Sequence, residues 1–207
     1  MEIRDVDLET KVTLSILGRS GCGKGTQAQF LLKNLEPYGV HHIETGRFLR
    51  AALKHPNVTT RIGSTLMQKG KSFPEWFVIF TWLKEFIEKG CGAHHLIFDG
   101  APRRLGEAKL LDAVLKWHGR PLALCIAVQV SKKEAVKRLL ARGRADDTHD
   151  AIENRMRYFA KDVVQVLRYY QREKRLIKVD GEQEPEEIAR DIRMALKERL
   201  GRLWPFG

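Results

Sequence analysis

The sequence predicts an α/β fold in which a parallel sheet is covered by helices on both faces. Three observations predict it. Five short β-rich runs are each separated from the next by one or more helical stretches, and such alternation demands crossovers that lie over the sheet. The first run passes through a glycine-rich loop into a helix. A length of 207 residues with 43% hydrophobic content is enough to bury a core without disulfide or metal staples.

The first strand is expected at Val12 to Leu17. It ends in Gly18-Arg19-Ser20-Gly21-Cys22-Gly23-Lys24, after which Thr26 to Leu35 places Ala28, Leu31, Leu32 and Leu35 on one helical face. Further strands are expected at His42 to Glu44, His95 to Phe98, Leu122 to Val130 and Leu176 to Val179. Pro74-Glu75 opens a helix from Trp76 to Lys89, whose Trp76, Phe77, Phe80, Trp82 and Phe86 are read as packing residues. Ser131 with Glu134 three residues on has the form of a capping box. Asp150 to Lys174 reads as one helix, since Ile152, Met156, Phe159, Val163 and Val166 recur every three or four residues. Pro185-Glu186-Glu187 starts the last helix. No repeat, low-complexity tract or Gly/Ser-rich linker interrupts the chain, so residues 1–207 are read as one domain, with the Leu203-Trp204-Pro205-Phe206 tail docked on it.

Composition narrows the function classes. With 37 Lys+Arg against 26 Asp+Glu the formal net charge is +11, which makes anions the expected partners. The longest mostly apolar run, Trp76 to Leu83, stops at Lys84, far short of the ~20 residues that cross a bilayer. Glu2, Asp5, Asp7 and Glu9 give the N-terminus the wrong chemistry for a signal or transit peptide. Cys22, Cys91 and Cys125 are isolated thiols that form neither a disulfide framework nor a zinc site. A cytoplasmic protein with no membrane contact is expected. His41-His42 and His94-His95 sit at strand starts, where neighbours point to opposite faces and cannot chelate one ion.

Gly18-x-x-x-x-Gly23-Lys24 has the spacing of a phosphate-binding loop. Glycines let successive backbone N–H groups turn around an anion, the following helix presents its positive end, and Lys24 reaches toward the β- and γ-phosphates. Gly25 displaces the usual hydroxyl by one position, to Thr26.

That variant, running on to Gly25-Thr26-Gln27, resembles the loop of the adenylate kinases and the wider nucleoside monophosphate kinase family. The similarity continues in order through Thr45-Gly46-Arg47-Phe48-Leu49-Arg50, Lys69-Gly70-Lys71-Ser72-Phe73-Pro74 and Asp99-Gly100-Ala101-Pro102-Arg103. It ends in Arg138-Leu139, Arg142-Gly143-Arg144, Asp146-Asp147 and Arg155, and covers about residues 12 to 181. The resemblance implies a P-loop three-layer α/β fold with a five-stranded parallel sheet of order 2-3-1-4-5. It also implies a monophosphate-binding flap at about 45–74, a very short lid at about 142–148, and transfer of a phosphoryl group from ATP, with Mg²⁺, to a nucleoside monophosphate.

Carried over residue by residue, Gly18, Gly21, Cys22, Gly23, Lys24, Gly25, Thr26 and Arg142 would hold ATP. Thr45, Gly46, Arg50, Ser72, Phe73, Gly100, Arg103, Glu107, Arg144 and Arg155 would hold the monophosphate. Lys24, Arg103, Arg142, Arg144 and Arg155 would act on the transferring group, where arginine's fork grips two phosphate oxygens and never loses its charge. Thr26 and Asp99 would serve Mg²⁺ through water; for Asp99, which follows a central strand, the competing reading is a cap on the turn at Gly100. No general base is needed, because the acceptor is already an anionic oxygen.

Three departures stand out. Arg47 replaces a family acid and changes the shell expected around a metal. Only Gly143 separates Arg142 from Arg144, so the lid is clipped. Glu107 stands where adenylate kinases have Gln, and an ionised Glu is acceptor-only where an amide offers both a donor and an acceptor. The resemblance keeps AMP as the favoured acceptor, while Glu107 makes GMP or CMP also possible, since a carboxylate pairs better with guanine's N1–H and N2–H₂ or with cytosine's amino group. The alternative to an enzyme is a degenerate relative that binds nucleotide or RNA with little phosphotransfer, and a third reading is a kinase for another small acceptor. Nucleic acid is the less expected partner, and a monomer is expected.

Overall fold

In the computed structural model the described residues are 11–52, 57–90, 94–201 and 204. Strands β1 (Thr13–Gly18), β2 (Val40–Glu44), β3 (His95–Asp99), β4 (Leu124–Gln129) and β5 (Leu176–Asp180) form one sheet of order β2-β3-β1-β4-β5. Every neighbouring pair is parallel, with Ile16 opposite Asp99 on one side and Ile126 on the other. β1 is thus the central strand, and its first five residues are all buried. Being covered on both faces, it reads as a continuous apolar run rather than an alternation. Of its two buried hydroxyl residues, Thr13 and Ser15, the second donates from Oγ to the Ala101 carbonyl at 2.6 Å.

The helices divide between two cores. On one side α1 (Lys24–Leu35), α6 (Lys132–Arg142) and α9 (Pro185–Leu200) bring Leu31, Leu139 and Ile192 against Leu14, Ile126 and Val128. On the other, α4 (Glu75–Glu85), α5 (Leu105–Trp117) and α8 (Val164–Arg172) bring Trp82, Leu111 and Val166 against Leu17, Ile43 and Phe98. Helices α2 (Thr45–Ala52) and α3 (Val58–Gln68) follow β2, and Leu49, Phe73 and Phe77 form a small separate cluster with Leu66 and Met67 beside it. Helix α7 (His149–Tyr158) precedes α8.

The structure alters several expectations. Residues 150–174 are not one regular helix: a π-turn over Phe159–Val163 separates α7 from α8. The extra residue rotates the apolar stripe, so Ile152 and Met156 enter the first core while Phe159, Val163 and Val166 enter the second. Phe77, Trp82 and Phe86 are buried, but Trp76 is 64% and Phe80 57% exposed, because four-residue spacing sets both on the outer face of α4. Ser131 accepts from the Glu134 N–H at 3.2 Å, yet Glu134 turns to Arg138 and it is Glu182 that accepts from the Ser131 N–H at 2.6 Å. The reciprocal half of the capping box thus comes from a distant loop. β2 starts at Val40 and β4 spans only Leu124–Gln129, shifts at strand ends where pairing decides the boundary.

His41 meets Glu85 at 3.0 Å, and His42 faces Asp99 at 4.0 Å, so the two imidazoles have separate partners. Trp204 is buried, whereas Leu203, Pro205, Phe206 and Cys91 lie outside the described residues. Cys22 and Cys125 are free and buried. Among the described residues no helix is long and apolar enough to cross a membrane.

Candidate active site

The glycine loop lies at the carboxyl end of the central strand, where open parallel sheets leave a crevice for ligands. Gly21 at φ 88° and Gly23 at φ 89° hold left-handed conformations that curl the backbone. A Cβ at Gly21 would stand 2.6 Å from the Ala135 carbonyl, so both conformation and space require glycine there. Helix α1 begins with no side-chain cap and no acid in its first turn, which leaves its first N–H groups and positive end for an anion. Cys22 contributes backbone only, since its side chain is fully buried and its N–H bonds the Arg19 carbonyl at 3.0 Å. Gln27 is also structural: it is buried, and its amide donates to the Pro185 carbonyl at 2.9 Å.

A cavity of about 280 Å³ opens beside this loop, and Lys24, Arg50, Arg103, Arg142, Arg144 and Arg155 all line it. They come from five separate segments of the chain, yet converge on one space. Gly100, at φ 76°, is the pivot on one side: a Cβ there would sit 2.7 Å from Arg103 Nη2 and 3.5 Å from Lys24 Cε. Arg103 is held by donating from Nε to the Gly100 carbonyl at 2.5 Å. Arg50 donates to Glu44 Oε1 at 2.9 Å and passes over Gly46, where a Cβ would be 3.2 Å from Nη1.

Two aspartates organise the other side. Arg142 donates from Nε and Nη2 to both oxygens of Asp147, and Arg155 donates from Nη1 to Asp147 Oδ1 at 2.5 Å and from Nη2 to the Asp146 carboxylate. Burial acts to raise the Asp147 carboxyl, but the hydrogen bonds and charges of Arg142 and Arg155 outweigh it and hold the group below the usual carboxylate range. Arg144 donates only its backbone N–H to Asp147, at 3.3 Å, and its side chain is exposed at the rim. The connection between α6 and α7 is a turn, with Gly143 left-handed at φ 61° and the Asp147 N–H on the Arg144 carbonyl.

Two acids and an apolar wall also line the cavity. Glu107 on α5 is 2% exposed; its Oε2 accepts from the Arg103 N–H at 2.6 Å, and its Oε1 has no partner. Glu75 at the start of α4 presents a second buried, unpartnered oxygen, packed on Gly106, where a Cβ would lie 2.5 Å away. Arg104 donates to Ser72 Oγ at 2.8 Å, and Phe73 and Val78 supply apolar wall.

Asp99 ends β3 beside Gly25, whose Cβ position is 3.7 Å from Oδ2, and Thr45 Oγ1 donates to the Asp99 carbonyl at 3.0 Å. Burial lowers the pKa of neighbouring His42, which favours the neutral imidazole. Among the described residues no three His, Cys, Asp or Glu side chains gather around one point. A single carboxylate next to a phosphate loop suits magnesium, which keeps several waters and completes its shell with phosphate oxygens.

Of the residues expected from the sequence, Lys24, Gly25, Thr45, Gly46, Arg50, Ser72, Phe73, Asp99, Gly100, Arg103, Glu107, Arg142, Arg144 and Arg155 line one cavity. Gly18, Gly21, Cys22 and Gly23 shape the loop behind it, and Thr26 stands exposed on the first turn of α1, outside the lining. Arg47 is exposed and stacks on Phe48 at 5.1 Å from the ring centroid. The expectation had not included Glu44, Glu75, Arg104 and Tyr158 among the lining residues. No motif includes them: Glu44, Glu75 and Arg104 lie just outside the motif runs, and Tyr158 lies on α7 beyond Arg155.

A family model described as adenylate kinase matches residues 16–175. The chain is 31% identical over 185 residues to an adenylate kinase of Azobacteroides pseudotrichonymphae, covering 87% of this chain and 95% of that protein. It is 34% identical over 179 residues to adenylate kinase 2 of a Nostoc species, covering 86% and 95% respectively. To adenylate kinase 1 of a Synechocystis species it is 34% identical over 184 residues, covering 89% and 96%.

Proposed function

The chain belongs to the adenylate kinase family, and on that premise we propose that it transfers the γ-phosphoryl group of ATP to a nucleoside monophosphate, AMP being favoured and GMP or CMP admitted by Glu107. The observation that carries the reading is the convergence of Lys24, Arg50, Arg103, Arg142, Arg144 and Arg155 on one cavity next to an uncapped helix N-terminus. Two polyanions can approach there only because that charge offsets their repulsion.

In the reaction, an oxygen of the acceptor's phosphate forms a bond to the γ-phosphorus as the bond to the β–γ bridging oxygen breaks, leaving two diphosphates. The protein's part is positioning and charge. Loop N–H groups and Lys24 hold the donor's phosphates; Arg50 and Arg103 hold the acceptor's phosphate, Arg103 being pre-set by Gly100. Arg142, Arg144 and Arg155 surround the transferring group, two of them oriented by Asp147. Asp99 would hold magnesium through water, with the Thr26 hydroxyl as a second candidate, and the ion would neutralise charge on the phosphates. A cytoplasmic monomer, with residues 45–74 as the flap over the monophosphate and 142–148 as the lid, completes the reading.

The test is turnover. With MgATP and a panel of AMP, GMP, CMP and UMP, diphosphate should form, and Lys24→Ala and Arg142→Ala should each lower kcat by about 100-fold or more. Near-normal turnover in both variants overturns the site assignment. No diphosphate from any acceptor, together with salt-sensitive RNA affinity, would favour the degenerate binding relative.

A further inference from the structure

We propose that Glu107 and Glu75 together read the acceptor base, and that one proton held on Glu107 exchanges the preference between adenine and guanine. This rests on the kinase reading and deepens it: Glu75 becomes a specificity-determining residue, and base choice becomes a function of pH.

Three observations point there. Glu107 lines the cavity from a side chain almost wholly buried in its wall, and its Oε1, with neither a protein partner nor access to bulk water, is left without a donor. Glu75, on a different helix, lines the same cavity and holds a second buried, unpartnered carboxylate oxygen. Gly106 lets that carboxyl lie directly on the backbone one residue before Glu107, near enough for the charge of Glu75 to act on Glu107. Leaving buried acceptors without donors is costly, and a ligand edge that supplies N–H groups relieves it.

The chemistry follows from the donor and acceptor inventory. An ionised carboxyl only accepts, and guanine's N1–H and N2–H₂ offer two adjacent donors to a pair of such oxygens. A protonated Glu107 is different. Its Oε2 is already committed to the Arg103 N–H, so the proton sits on Oε1, which then donates to adenine N1 while a neighbouring oxygen accepts from the N6 amino group. A carboxylic acid in this state presents the same donor–acceptor face as a glutamine amide.

The groups around Glu107 set where that proton leaves. Burial pushes the carboxyl up to about 7; the Arg103 N–H bond and charge and the Arg104 N–H pull it down, and Glu75 on α4 pushes it up again. The remaining titratable neighbour, Tyr158 at the end of α7, is itself raised to about 12 by burial and stays neutral.

The experiment is the ratio of kcat/KM for AMP to that for GMP between pH 5.5 and 8.5, a ratio in which the titration of ATP, of magnesium complexes and of the shared monophosphate group cancels. The ratio should fall by about tenfold or more from pH 6 to pH 8, as one proton is lost. Glu107→Gln should hold the ratio constant and in favour of AMP, and Glu75→Gln should move the crossing to lower pH by removing the adjacent negative charge. A flat wild-type ratio, or a Glu107→Gln variant that keeps the wild-type slope, overturns the proposal while turnover leaves the kinase reading standing. A crossing unmoved in Glu75→Gln removes Glu75 from the pair. If no acceptor is phosphorylated at any pH, the kinase reading fails instead; calorimetric affinities for AMP and GMP over the same range then give the same ratio, and a flat binding ratio overturns the proposal.

Discussion

Asp147 grips Arg142 through both of its oxygens, Nε to Oδ2 at 2.9 Å and Nη2 to Oδ1 at 2.8 Å, while its own side chain is fully buried. The same carboxylate also holds Arg155. One acid thereby orients two of the arginines that line the cavity, and a misplacement of about 1 Å in such groups is enough to cost about 100-fold in rate. Asp147→Asn keeps the shape and removes the charge, so kcat with MgATP and AMP should fall about 10- to 100-fold at pH 7. Because the carboxyl is held below its ordinary value, its contribution to stability is fully present at neutral pH and is lost only as pH falls below about 4. Unchanged kcat in the variant would mean that the arginines are oriented by something else.

On the proposed division of the cavity, Gly100→Ala should damage the acceptor's phosphate site specifically. The substitution strains a residue at φ 76° and drives a methyl group to 2.7 Å from Arg103 Nη2. KM for the monophosphate is expected to rise about tenfold or more, with a smaller change in KM for ATP because Lys24 Cε is 3.5 Å away. Equal effects on both substrates would contradict the division of the cavity.

Away from the site, Arg175 reaches Asp112 through Nη1 at 3.0 Å and Nη2 at 2.5 Å, both side chains being nearly buried, and the Tyr169 hydroxyl donates to the same carboxylate at 2.6 Å. Asp112→Ala leaves a buried guanidinium without its acid. The loss should be about 3–5 kcal/mol in denaturant unfolding, with the kinetic constants at low temperature little changed.

His95 joins the starts of two strands, its Nδ1 accepting from the Val12 N–H at 3.1 Å, which requires the neutral ring. Burial depresses its pKa to about 4. The unfolded chain therefore binds more protons than the folded one between about 4 and the ordinary 6.5, so stability is full above 6.5 and falls as pH drops through that window. His95→Asn, which retains an acceptor but cannot titrate, should lack this component. The wild-type advantage, measured from urea midpoints, is expected to shrink by about 1 kcal/mol per pH unit between 6 and 4.5.

The stretch proposed as the lid is only a turn, with Gly143 between Arg142 and Arg144 and Thr148 already capping α7 by accepting from the Ala151 N–H at 3.3 Å. So small a cover would leave the transferring group accessible to water. MgATP without acceptor should release phosphate at a measurable rate that Lys24→Ala abolishes. Release no faster than in that variant would count against an open site.

Much of this was legible locally. The Gly18-to-Lys24 spacing needs only the chain itself, because the curl, the strand before it and the helix after it are all set by neighbouring residues. Gly100 and Arg103 could be placed for the same reason. Trp76 and Phe80 were misread as packing residues because aromatic content says how much a residue can bury, whereas the phase of the helix against the sheet says whether it does. The helix expected at 150–174 is continuous from His149 to Arg172 but does not present one buried face: its two halves serve opposite faces of the sheet, and a π-turn supplies the rotation.

By itself the sequence determined the order of strands and helices, the phosphate loop and the inventory of cations, since these follow from periodicity, glycine conformations and spacing within a few residues. Only the tertiary structure decided which acid holds which arginine, and that Glu75 and Glu107 line one cavity. Those relationships join side chains on separate elements, and their geometry is fixed by how the helices pack on the sheet rather than by any local preference of the chain.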